Sequence, residues 1–276
     1  MKILTPENYR QGRIAHPESF ATVITALKRA VQESDAVHGA VIIGSAGQSN
    51  QTRSSDLDII VGYHGKERPD ISYSRVLHAL RPVLALARKL YVPVDITVYD
   101  LYDINQQNYA LDPLFHQVIQ YYEKKNGVIK NGIAGLLEPK NMAAGNCSME
   151  YMARKAGKLR QSGLQYDWLD SGQKADTLSD ILHAPVNAAR YILLATTDNI
   201  ELSHGCRLSQ LHTAYHEISR PAGYLFEVIL QIREYNDFLA IEKRDRDAYD
   251  KLLLDIWRKL PATISFLSEN MKLLGG

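Results

Sequence analysis

Asp56 and Asp58 are separated by one residue at the head of an apolar run, Leu57 to Val61. On an extended strand both carboxylates leave one face, while Leu57, Ile59 and Val61 leave the other. Two neighbouring carboxylates repel, and a divalent cation with oxygen ligands relieves that repulsion. The pair is therefore a candidate metal site. Upstream, the run ending Ile42-Ile43 gives way to Gly44-Ser45. A glycine leaving a strand lets the backbone approach a phosphate closely, and the next amide and hydroxyl can donate to it. Arg53, Ser54 and Ser55 in the intervening loop either touch phosphate or form a plain polar loop. Singly, a Gly-Ser pair is commonly only a turn and an Asp-x-Asp only a solvated strand edge. Their order and spacing, with strand-like runs beneath them, point to adjoining cation and phosphate sites.

Gly44-Ser45, ten intervening residues and then Asp56-Leu57-Asp58 resembles the signature of the DNA polymerase beta-like nucleotidyltransferase superfamily, which includes aminoglycoside adenylyltransferases and minimal nucleotidyltransferases. That resemblance implies a third carboxylate on a later strand, and Asp95, inside the β-branched run Val92 to Val98, matches it. It further implies two Mg²⁺ ions, about 3.5–4 Å apart in such sites, held by Asp56, Asp58 and Asp95. Asp95 would also take the acceptor's proton. Gly44 and Ser45, with Arg53 and Ser55 as further candidates, would hold the phosphates of ATP or another NTP. The implied reaction moves a nucleoside monophosphate, most simply AMP from ATP, to a hydroxyl of a small molecule such as an aminoglycoside, releasing pyrophosphate.

The surrounding elements suit such a site. Pro17 can open a helix whose residues Phe20, Val23, Ile24, Leu27, Ala30 and Val31 follow helical spacing. Strands are expected at Ala40 to Ile43 and Leu57 to Tyr63. Val76, Leu77, Leu80, Val83, Leu84, Ala87, Leu90 and Tyr91 make a second helical stripe, which Pro82 should kink or begin. Ala110 to Ala144 holds Asp112-Pro113, Asn126-Gly127, Asn131-Gly132 and Pro139, a density of breakers that predicts short elements joined by turns. Within it, Val128 to Gly132 looks like a short strand ending in a tight turn. The expected fold class is an α/β (α+β) nucleotidyltransferase core with a small mixed sheet over residues 1–140, followed by an all-α helical bundle over residues 148–276.

The bundle is expected from amphipathic segments at Glu150 to Ser162, Thr177 to Thr196, Tyr224 to Leu239, Ala248 to Leu260 and Thr263 to Leu274. Asn187 to His212 looks like the middle of a HEPN domain, with Arg207 and His212 in an Arg-x4-His arrangement. In ribonucleases of that family the arginine binds phosphate and the histidine assists transfer, but here Leu208 replaces the usual polar residue after the arginine. His204, Cys206 and His212 lack a fourth ligand for zinc. The basic run Arg154, Lys155, Lys158 and Arg160 reads as a solvated helix face or, less simply, a triphosphate clamp. The tyrosines, Tyr121-Tyr122 among them, read as packing residues with a polar tip. A protein-modifying or antitoxin-like minimal nucleotidyltransferase joined to a HEPN-like domain, and a catalytically silent nucleotide-binding protein, are the alternative functions.

With 32 Lys+Arg against 31 Asp+Glu among 276 residues, no strong field favours a nucleic-acid or membrane partner. A small-molecule or protein acceptor is expected instead, and a homodimer stays open. Cys147 and Cys206 have no Cys-x-x-Cys spacing, as in a reduced cytoplasmic protein. No signal peptide and no bilayer-length apolar run is expected.

Overall fold

The computed structural model describes residues 1–65, 69–105, 111–126, 128–218 and 220–275. Ala110 and Gly127, which fell within the expected breaker-rich stretch, lie outside the described residues. The chain forms two compact units, Ala15–Met142 and Met1–Ile14 together with Ala143–Gly276. The first fourteen residues, expected with the first domain, carry α1 (Pro6–Arg10) and belong to the helical unit.

Residues 15–142 contain α2 (Pro17–Glu33), β1 (Val37–Ile43), α3 (Gly44–Gly47), β2 (Leu57–Tyr63), α4 (Pro69–Lys89), β3 (Val94–Asp100), α5 (Leu101–Asn105) and α6 (Pro113–Asn126). The sheet has the order β1-β2-β3, with β1 antiparallel and β3 parallel to β2, so it is small and mixed. One face buries Leu57, Ile59 and Val61 against Phe20, Val23 and Leu27 of α2 and Val76, Leu80 and Val83 of α4, with Val94, Ile96 and Val98 packed alongside. Each fully buried aliphatic side chain there contributes about 1.5–3 kcal/mol of transfer free energy. Pro82 lies inside α4 without ending it; the only backbone donor it removes is its own. On the opposite face Leu101 and Ile133 cover Gly62 so closely that a Cβ there would lie 2.9 Å from Ile133 Cγ2.

Two expectations for residues 111–142 are corrected. Asp112-Pro113 begins a helix of 14 residues, α6, instead of a set of short turns. Asp112 Oδ1 accepts from the amides of Leu114 and Phe115, and proline at the first helical position has no amide to satisfy. The expected strand at Val128 to Gly132 is reduced to one antiparallel bridge, Ile129 with Ala40. Lys130 takes φ +76°, which turns the chain out of register at once.

The helical unit adds α7 (Ala144–Leu164), α8 (Ser171–Thr197), a π-helical turn (Glu201–Gly205), α9 (Leu208–Glu217), α10 (Gly223–Ala240), α11 (Arg246–Trp257) and α12 (Leu260–Gly275). Asp170 starts α8 with a capping box, its carboxylate accepting from the Gln173 amide at 2.8 Å while Gln173 Oε1 accepts from the Asp170 amide at 3.0 Å. The reciprocal pairing satisfies donors that the first turn leaves open, so the helix begins upstream of its apolar stripe. Residues 1–14 are sewn onto this unit by tyrosines. Leu4 N donates to Tyr235 Oη at 2.8 Å, Tyr249 Oη donates to Leu4 O at 2.7 Å, and Tyr9 stacks on Tyr249 with centroids 4.0 Å apart. Among the described residues no helix is long and apolar enough to cross a membrane, and both cysteines are free thiols.

Candidate functional site

β2 and β3 run parallel in register, and Asp58 stands directly opposite Asp95. Residues so paired project from the same face of the sheet. Leu57 and Ile59 occupy the face packed on α2 and α4, so Asp58 and Asp95 leave by the other. Asp58 is half-buried and Asp95 exposed. Asp56, half-buried, lies just ahead of the first residue of β2.

The antiparallel register brings the Gly-Ser turn to the same place. Ile43 pairs with Asp58, and the chain then leaves β1 through Gly44 at φ +68°. Glycine takes this left-handed conformation without steric cost. A Cβ on Gly44 would lie 2.6 Å from Asp58 Oδ2, so the carboxylate occupies the space that a side chain would need. Ser45 follows, half-buried, with its carbonyl accepting from the amides of Gln48 and Asn50.

Residues that give no local signal hold this turn. Gln48 Nε2 donates to Tyr122 Oη at 3.0 Å, and Asn126 Nδ2 reaches Ile42 O at 3.4 Å. Both partners lie on α6, far along the chain, and a Cβ on Gly47 would meet Ile42 O at 2.7 Å. Tyr122 is thus more than a packing residue: its hydroxyl buttresses the turn beside Asp58. In the loop before β2, Ser54 and Ser55 are buried. Ser55 Oγ accepts from the Thr52 amide at 2.8 Å and its own amide returns to Thr52 O at 3.1 Å. Ser55 therefore closes its own loop, while Arg53 is half-exposed at the turn.

The donor set is oxygen only, the chemistry that Mg²⁺ takes, and two of the three carboxylates are register partners. Among the described residues, no group of three His, Cys, Asp or Glu side chains is drawn together closely enough to hold an ion. The fit is thus one of donor type and strand placement, with the third carboxylate standing outside the pair.

In the helical unit, Arg207 is exposed immediately before α9, and His212 sits on α9 with its ring 5.1 Å from that of Phe226. No hydrogen bond joins the two among the described residues. The basic run of α7 is not simply solvated. Lys155 and Lys158 both bond Asp180, at 2.6 and 2.7 Å, and Arg160 donates to Ser268 Oγ at 3.2 Å. Burial pushes the Asp180 carboxyl up, but the hydrogen bonds and charges of Lys155 and Lys158 outweigh it and hold the group below the usual carboxylate range. Those ammonium groups are committed within the bundle. His204, on the π-helical turn, is lowered to about 3, first by desolvation and then by the Arg190 guanidinium.

No protein-family model matches this chain, and no curated protein matches it.

Proposed function

We propose that this protein is a metal-dependent nucleotidyltransferase, its residues 15–142 a nucleotidyltransferase core, that transfers AMP from ATP to a hydroxyl of a small-molecule acceptor. One observation carries the reading. Asp58 and Asp95 are in register on neighbouring strands, and the Asp58 carboxylate lies in the gap left by Gly44 at the mouth of a Gly-Ser turn. Carboxylates gathered beside the backbone amides of a glycine turn are what phosphoryl chemistry with a divalent cation uses.

In this proposal Asp58 and Asp95 would hold Mg²⁺, with Asp56, just ahead of β2, as the further carboxylate. The ion, when bound, would neutralise charge on the phosphates and polarise the reacting phosphorus. The other roles belong to the chain. The amides of Gly44 and Ser45, the Ser45 hydroxyl and the Arg53 guanidinium hold the β- and γ-phosphates. Asp95, open to solvent, takes the proton of the acceptor hydroxyl. The acceptor oxygen bonds to the α-phosphorus, the bond from that phosphorus to the bridging oxygen breaks, and pyrophosphate leaves with the electron pair.

The test is incubation of the purified chain with α-labelled NTPs, Mg²⁺ and a panel of aminoglycosides, with a cell extract in parallel. Label on a small molecule and stoichiometric pyrophosphate support the proposal. Label on a protein instead moves the acceptor to the protein-modifying class. Label on nothing, with no pyrophosphate released, removes the activity.

A further inference from the structure

Residues 15–142 hold a polar cleft at the end of the sheet away from Gly44 and Asp58. Gly44 and Asp58 stand where β1 ends and β2 begins, whereas His38 and His64 flank the Val37–Tyr63 end of the same pair. At about 3.3 Å per residue the two ends are roughly 20 Å apart. A cavity of about 320 Å³ opens there, and Asp35, His38, His64, Arg75, Lys130 and Asn131 line it.

The cleft is built on fixed backbone. Lys130 Nζ donates to Ser34 O and, at 2.9 Å, to Val37 O, which leaves one of its three protons for a ligand. The residue sits at φ +76°, a conformation that a non-glycine residue keeps only where its surroundings enforce it. Asn131 Nδ2 donates to His38 O at 2.9 Å. The Asn131 carbonyl presses so near β1 that a Cβ on Gly39 would lie 2.0 Å from its oxygen. The Lys130–Asn131 turn is therefore wedged against β1, and its ammonium is held at the cleft instead of swinging in solvent.

The charges gathered there are mostly of one sign. Arg75, exposed on α4, makes no ion pair among the described residues. The His38 and His64 rings meet edge to face with centroids 4.8 Å apart. Burial, then His64, and also Lys130 hold His38 below its usual range, against a hydrogen bond at Gly132 that raises it. Asp35 is the lining carboxylate, and the nearby Asp100 Oδ1 is turned to the amides of Gly65 and Tyr102. Two permanent cations, Arg75 and Lys130, face one cavity with a single lining carboxylate, and the two imidazoles beside them can donate through ring N–H groups; an oxyanion with several acceptor lone pairs matches that set of donors.

We propose that this cleft binds a phosphate-type oxyanion at a site separate from the Asp58–Asp95 end of the sheet. The ligand is either free inorganic phosphate or the phosphate of a nucleoside monophosphate, which present the same oxygens to Arg75, Lys130 and the two imidazoles.

The test follows the His38 and His64 ring signals by NMR in the full chain, titrated with inorganic phosphate and, separately, with AMP. Saturable shifts at both rings are expected, unchanged in Asp58→Asn and weakened about tenfold or more in Arg75→Glu. Lys130→Met, whose fold is checked by circular dichroism, should weaken binding alike. Tighter binding of phosphate identifies the free anion, and tighter binding of AMP the nucleotide. No saturable shift with either ligand up to about 10 mM, an affinity too weak for a built site, would overturn the proposal. So would shifts that survive Arg75→Glu unaltered, or binding lost in Asp58→Asn, which would put the anion at the other end.

Discussion

The Asp58 carboxylate lies where a side chain on Gly44 would be: a Cβ there would come within 2.6 Å of Asp58 Oδ2. The first sits on β2 and the second leaves β1 at φ +68°, so two elements share one small volume. In Gly44→Ala, the left-handed backbone costs about 1 kcal/mol, and Asp58 must turn away. Urea melts should show that loss, and label transfer should fall at least about tenfold, the equivalent of about 1.4 kcal/mol in the barrier. Undiminished transfer by a stable Gly44→Ala protein would separate the turn from the chemistry.

Asp95 separates chemistry from stability. It is exposed, and surface substitutions away from special features usually change stability by less than about 0.5 kcal/mol. Asp95→Asn should thus melt like the parent while losing about 100-fold or more of its transfer rate, as expected when a proton acceptor is removed. Equal rates for the two proteins would remove Asp95 from the reaction.

The N-terminal segment is held by phenol hydroxyls. Tyr249 Oη donates to Leu4 O at 2.7 Å and lies 3.2 Å from Tyr235 Oη, which accepts from Leu4 N. Tyr249→Phe leaves the half-buried Leu4 carbonyl without this partner and should cost about 1 kcal/mol. Amide exchange at Leu4 should quicken, while exchange in β2 stays as it was. Leu4 protection equal to that of the parent would show that the strap is held by packing alone.

His204 gives the helical unit a pH dependence. Its pKa in the fold is about 3, against 6.5 for the free side chain, so in the unfolded chain it takes up a proton first. Protonation therefore favours unfolding. The stabilising effect is complete above about pH 6.5 and is lost as the pH falls towards 3. Between pH 7 and pH 5 the melting free energy should drop by about 1 kcal/mol for this group, allowing for its partial solvation. In His204→Gln the drop should be smaller by that amount. An identical pH profile in the variant would contradict the assignment.

What was legible in the sequence was what repeats locally. The alternation from Leu57 to Tyr63 marks β2 to the residue, and Pro17 opens α2 as a proline at the first helical position does. Helical spacing marked the bundle, with ends set wider by caps such as Asp170. What was hidden depends on distant partners. Nothing near Met1–Ile14 announces that Tyr235 and Tyr249 bind it. Nothing near Tyr122 announces Gln48. Asp112-Pro113 carried two opposite meanings, breaker and helix start, and the Asp112 carboxylate decides for the second only once Leu114 and Phe115 are in place. Likewise, the spacing of Asp56 and Asp58 suggested a shared face, but only strand register sets Asp95 opposite Asp58 and the Gly-Ser turn beside it.

The most direct measurement compares the wild-type chain with Asp58→Asn for Mg²⁺-dependent transfer of label from α-labelled ATP, each protein first shown to be folded by its melting curve. The account predicts pyrophosphate release by the wild type and turnover lowered at least about 1000-fold in the variant, a loss of roughly 4 kcal/mol of transition-state stabilisation. Equal turnover by the two folded proteins would contradict it.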